Sequence, residues 1–167
     1  MTTAQGFPPV ARQDAHVLIL GSMPGKASLA AQQYYAFPRN AFWRIIEALY
    51  GIQADQPYAQ RLVGLLQQQI ALWDVLQTCR RASSLDADII EASIVPNDFA
   101  AFFKAHPTIT RIGFNGAKAA DAYKKHVWPR LAENQKEIQS LRLPSTSPAH
   151  ASLNLGDKIE AWRGLVF

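Results

Sequence analysis

Apolar positions along the chain alternate between unbroken short runs and helical spacing. The stretch 16–20, HVLIL, is continuously apolar after His16 and closes on Gly21, which predicts a strand covered on both faces, as in a parallel sheet. Over 41–50, Phe42, Ile45, Ile46 and Leu49 recur on one helical face, with Asn40 ahead of them as N-cap and Gly51 after them at the position that favours a left-handed residue. Leu62, Leu65 and Leu66 predict a helix over 57–69, and Ile70-Ala71-Leu72-Trp73-Asp74 a second short strand. Residues 75–95 are expected as a long crossing loop, with turns at Ser83-Ser84-Leu85-Asp86. Pro96-Asn97-Asp98 opens a helix over 99–106 that Pro107 stops, and a strand at 108–114 turns through Asn115-Gly116 into a helix over 117–126. A last strand at 137–143 stops at Pro144, and 157–163 forms a terminal helix. Strands alternating with helices in this way predict an α/β protein. The architecture expected is a three-layer αβα sandwich around a four-stranded, mainly parallel sheet, with functional loops at the carboxyl ends of its strands.

Composition narrows this picture. Residues 1–13, with Gly6 and Pro8-Pro9, read as an N-terminal arm rather than an element, and 14–167 as a single domain. With 49% apolar and 18% charged residues the chain is neither disordered nor fibrous. No apolar run approaches the roughly 20 residues of a bilayer crossing, and Met1-Thr2-Thr3-Ala4-Gln5 lacks the features of a secretory leader. A soluble, cytoplasmic monomer with no membrane partner is expected. Cys79 stands alone, so no intrachain disulfide can form, and His16, His106, His126 and His150 lie too far apart for zinc spacing. Neither a GxxxxGK[ST] phosphate loop nor GxGxxG is present, so no metal and no cofactor are expected. The net charge is +4, and between Lys104 and Arg142 eight basic residues face only Asp121, Glu133 and Glu137, a bias that suits a polyanion such as nucleic acid.

Three strand ends carry the unusual residues: Gly21-Ser22-Met23-Pro24-Gly25, Phe114-Asn115-Gly116, and Ser145-Thr146-Ser147-Pro148-Ala149-His150-Ala151-Ser152. Turns rich in glycine, proline and serine can face backbone N–H groups outward toward a phosphate or a base edge. Other conspicuous residues have plainer readings. Phe42, Trp43 and Trp73 read as core, Tyr34 as packing away from Tyr35, Asp74 as a turn cap or a residue that orients loops or water, Arg80-Arg81 as solvated in preference to meeting a nucleic-acid backbone, and Cys79 as a small buried or half-buried residue.

The stretch from Leu20 to Ile46, LGSMPGKASLAAQQYYAFPRNAFWRII, resembles the uracil-DNA glycosylase superfamily, and most closely its deoxyinosine (hypoxanthine) branch. The related mismatch-specific enzymes carry GINPG followed by PxNxFW, a spacing kept here between Gly21 and Pro38-Arg39-Asn40-Ala41-Phe42-Trp43. Gly113-Phe114-Asn115-Gly116 looks like the family's turn after its third strand, and Ser147-Pro148-Ala149-His150-Ala151-Ser152 is similar to its second motif, HPSPLS or NPSGLS. Two positions depart from the family. Met23 stands where an Asp or Asn usually orients the attacking water, and Ser147 where uracil-specific enzymes have a histidine.

The resemblance implies a monofunctional DNA glycosylase acting on double-stranded DNA that contains a deaminated base, most simply hypoxanthine. Asn40 would position the water. Backbone groups at Ser22 and Met23, with the Asn115 amide, would recognise the base, on which Tyr35 would stack. Ser28, Ser145, Ser147, Ala149, His150, Ala151 and Ser152 would contact DNA, with His150 alternatively touching the leaving base or capping a turn. The alternatives are a uracil or G:U mismatch glycosylase and a catalytically inactive nucleic-acid-binding relative. A small-molecule nucleotide hydrolase would need acidic or metal-binding loop residues that these motifs lack.

Overall fold

The structure, a computed structural model, describes residues 2–166. Four parallel strands form its centre in the order β3-β2-β6-β7: β2 (Val17–Gly21), β3 (Ile70–Asp74), β6 (Arg111–Asn115) and β7 (Gln139–Leu143). Alternation along these strands divides the interior into two cores, because successive side chains point to opposite faces. Leu18, Leu20, Ala71, Trp73, Ile112 and Phe114 face helix α4 (Phe99–Ala105) and helix α5 (Ala117–Ala122). Ile19, Ile70, Leu72 and Leu143 face α2 (Phe42–Tyr50), α3 (Tyr58–Gln67) and α7 (Leu155–Trp162). Covered on both faces, β2 and β3 have room only for apolar side chains until their last residues, as their composition predicted.

Helix α2 begins and ends nearly where its pattern places it. Gly51 takes φ 73°, and its N–H donates to Glu47 O. Asn40 caps from one residue further out than expected: its Oδ1 accepts from Phe42 N–H at 2.9 Å, while Ala41 is the half-helical residue. Phe42, Ile45 and Ile46 are wholly buried, and removing the Phe42 ring would cost about 3–5 kcal/mol. The terminal helix starts two residues earlier than its periodicity suggested, because Asn154 Oδ1 accepts from Asp157 N–H at 2.8 Å. A short helix α1 (Lys26–Ala31) precedes α2, and α6 (Glu133–Lys136) precedes β7; neither is long enough to show a period.

Two expectations are corrected. The arm is an element, for β1 (Thr2–Gln5) pairs antiparallel with β4 (Leu76–Arg81), and Val10 bridges to Leu72 through two backbone hydrogen bonds of 2.9 Å. The crossing loop contains β4 and β5 (Val95–Pro96), so 75–95 completes a second, three-stranded sheet of order β1-β4-β5. No helix of the described residues is long and apolar enough to cross a membrane.

Candidate active site

The carboxyl ends of β2, β3 and β6 open into a cleft of about 1060 Å³. Asn40, Tyr35, Ser22, Met23, Asn115 and the loop from Ser145 to His150 all line it, so residues from three separate motifs share one wall. Ala151 and Ser152, expected to touch DNA with that loop, are exposed just outside the cleft.

The loop after β2 is held from below. Val75 N–H donates to Gly21 O at 2.8 Å and Leu76 N–H to Ser22 O at 3.1 Å. The Ser22 hydroxyl donates to the Asp86 carboxylate at 2.5 Å, and Lys26 N–H to Ser84 Oγ at 2.9 Å. Arg81, expected in solvent, is only 3% exposed and donates to Pro24 O. The Ser22 and Met23 N–H groups have no backbone acceptor among the described residues, and both residues line the cleft. Met23 turns its side chain into the core beside Gly6, which explains an apolar residue at this point of a polar loop.

Asn40 stands half-buried on the cleft wall with its amide anchored by Phe42 N–H. A carbonyl oxygen has two lone pairs, so the cap bond leaves one for a water. Its position is fixed by a chain of contacts that joins three loops. Ala41 N–H donates to Thr146 O at 2.9 Å, Thr146 N–H donates to Asn115 Oδ1 at 2.9 Å, and Asn115 Nδ2 donates to Thr146 Oγ1 at 3.0 Å. Asn115, expected to read the base, is 7% exposed with both ends of its amide engaged by Thr146; it fastens the wall. Ser28, expected at a phosphate, is likewise 6% exposed, and its Oγ accepts from Ala36 N–H at 3.1 Å.

Tyr35 sits at φ 57°, in the left-handed region that a bulky residue occupies only at a cost of about 1–3 kcal/mol. Its ring stacks on Phe42, centroids 4.0 Å apart and 18° from parallel. Its hydroxyl is sealed without a hydrogen-bond partner, and burial, reinforced by Asp74, pushes it well above the usual tyrosine range. Tyr34 points the other way, donating to Pro8 O at 3.0 Å.

The loop 144–152 is tied by its own serines. Ser145 Oγ accepts from Ser147 N–H at 3.1 Å and Ser147 Oγ from Ala149 N–H at 3.2 Å. From α7, Lys158 Nζ reaches Ser147 O at 3.4 Å, and Trp162 Nε1 donates to Pro144 O at 2.9 Å. Burial lowers the Lys158 ammonium from its ordinary value. His150 borders the cleft with Nδ1 buried and unpartnered.

Reading by residue type missed Asp86, Thr146 and Lys158, and left Asp74 between a turn cap and a residue that orients loops or water. Asp74 alone carried a signal, a carboxylate closing an otherwise apolar strand.

Known proteins place this cleft in context. The model of the uracil DNA glycosylase superfamily matches residues 8–166. A hypoxanthine DNA glycosylase of Methanosarcina barkeri is 36% identical over 118 residues, 70% of this chain and 73% of that protein. Its counterpart in Methanosarcina acetivorans is 38% identical over the same shares. The solution NMR structure of a candidate uracil DNA glycosylase from Methanosarcina acetivorans superposes with a TM-score of 0.79 at 34% identity, covering 99% of this chain and 100% of that one. With its two-core parallel sheet and the motif loops gathered at one rim, the chain belongs to the uracil DNA glycosylase superfamily.

Proposed function

We propose that this protein is a monofunctional DNA glycosylase that removes hypoxanthine from double-stranded DNA and leaves an abasic site, working as a monomer in the cytoplasm. The observation that carries the reading is the anchored amide of Asn40 on the wall of a cleft lined also by Ser22 and Met23, whose N–H groups have no backbone acceptor among the described residues. Two relatives named as hypoxanthine DNA glycosylases support the choice of base.

In this mechanism a nucleotide rotates out of the duplex into the cleft, at a cost of a few kcal/mol that a poorly paired base reduces. Tyr35, already backed by Phe42, offers its ring to the base. The C1′–N9 bond breaks with its electron pair going to the purine, and the sugar becomes oxocarbenium-like. Asn40 Oδ1 accepts a hydrogen bond from the water that adds to C1′; that water loses a proton and the departing purine gains one. The Ser22 and Met23 N–H groups face charge growing on the base, where fixed donors lower the barrier most. Ser145, Ser147, Ala149 and His150, which line the cleft, would contact the flanking phosphates together with Ala151 and Ser152 beyond it.

Duplexes carrying one inosine, uracil or xanthine, treated with the protein and then with alkali, test the reading. Breaks at inosine are expected. Breaks at uracil alone would reassign the base, and no breaks at any lesion would leave a binding protein.

A further inference from the structure

Asp74 is the last residue of β3 and lies on the floor of the cleft, 4% exposed. Its backbone is pinned: Asn97 Nδ2 donates to Asp74 O at 2.8 Å, and the residue pairs with Gly21 across the ladder. Its carboxyl is not pinned. Oδ2 is sealed from solvent with no hydrogen-bond partner, and so is Oη of Tyr35. Both groups crowd one point on the floor. A Cβ added to Gly21 would lie 2.5 Å from Asp74 Oδ1 and 2.8 Å from Tyr35 Oη, so only glycine leaves them room. Two buried, unsatisfied polar groups side by side are expensive in a folded protein, and Oδ1 of the same carboxyl has no hydrogen-bond partner among the described residues either.

We infer that Asp74 is a base-contacting residue, its neutral carboxylic acid donating an O–H from Oδ1, the oxygen that is not sealed, to the C6=O of the extruded hypoxanthine; this rests on the function proposed above. The acid O–H is the donor that O6 accepts, and an ionised carboxylate has none to give. As C1′–N9 breaks, the electron pair passed to the purine is partly carried on O6. The bond from Asp74 strengthens as the reaction proceeds, so it acts on the rate as well as on binding.

The surroundings maintain the acid form. Burial raises the Asp74 pKa, and the Asp86 carboxylate raises it further against the opposing pull of Arg81, so the group is pushed up to about 7. Tyr34 and Tyr35 from the loop before α2, and Tyr58 from α3, also interact with it, and burial raises all three phenols. Lys26, Arg39, Lys118, Asp121 and His150 line the cleft further out.

Single-turnover excision from an inosine duplex, followed from about pH 5.5 to about pH 9, tests this. The wild-type rate should fall above neutrality, by up to about tenfold per pH unit for loss of one proton. Asp74→Asn keeps a donor and an acceptor but cannot ionise, so it should excise hypoxanthine without that decline. Asp74→Ala should lose about 10²–10³ in rate, with thermal melts confirming that both variants are folded. A flat wild-type profile, an unchanged decline in Asp74→Asn, a folded Asp74→Asn protein without excision, or a fully active Asp74→Ala would each overturn the assignment while leaving the glycosylase standing. Wild-type protein that spares hypoxanthine would instead overturn the function itself, and the assignment with it.

Discussion

Asp74 on the cleft floor and Glu91 on the outer surface carry the same functional group in opposite surroundings. Glu91 lies in the turn 91–93 with its side chain 43% exposed, and three side chains surround it: Lys118 Nζ at 2.8 Å, His126 Nε2 at 2.8 Å and Lys125 Nζ at 3.2 Å. Hydrogen bonding to Lys118 first, and then to His126, lowers its pKa to about 2. Asp74 has a sealed oxygen without a partner and is pushed the other way, to about 7. The cluster whose carboxylate is fully partnered is therefore a solvated patch whose pairs are each worth little. The region with unmatched polar groups is the cleft. Unmet hydrogen-bonding capacity, more than charge density, marks where a ligand belongs.

Four experiments would break or sharpen that contrast. Asn40→Ala should reduce hypoxanthine excision by about 10²–10³ while lesion binding stays near normal; the lost cap on Phe42 N–H should also cost about 1 kcal/mol of stability. Wild-type single-turnover rates in this variant would remove Asn40 from the chemistry. Tyr35→Ala should weaken capture of the flipped base by about 1–3 kcal/mol, measured as affinity for inosine duplex relative to undamaged duplex. If the two affinities shift together, Tyr35 does not stack on the base.

Stability should separate the carboxylates by pH. The raised Asp74 pKa means its favourable contribution is complete below about 4, the unfolded value, and is lost as pH rises toward 7. Asp74→Asn should therefore gain on the wild type by up to about 1 kcal/mol per pH unit across that window, read from denaturant midpoints; a constant difference would contradict the buried, protonated carboxyl. Glu91 runs oppositely, its contribution present above about 4.5 and lost as pH falls toward 2. Because that site is exposed and screened, Glu91→Gln at neutral pH should cost less than about 1 kcal/mol, diminish in high salt and leave excision unchanged. A large, salt-independent loss would show that the cluster holds the fold together.

Much of the framework could be read before any coordinates. The apolar runs at 16–20 and 70–74 became parallel strands, and the stripe at 42–49 became a helix between Asn40 and Gly51, because local spacing and capping chemistry determine such elements. The strands at 2–5 and 76–81 were not legible, since each is short and is stabilised by pairing with a segment more than seventy residues away. The polar residues divide in the same manner. Residue type and motif spacing brought Asn40, Tyr35, Ser22 and Met23 to the cleft, but equally singled out Asn115 and Ser28, whose polar atoms serve Thr146 and Ala36.

What the sequence alone determined is the alternation that makes a doubly covered parallel sheet and puts the motif loops at one rim. Only the tertiary structure decided which of the polar groups there are satisfied by the protein and which remain open. Periodicity and capping act between near neighbours, whereas the burial of Asp74 and the engagement of Asn115 depend on segments that meet only when the chain has folded.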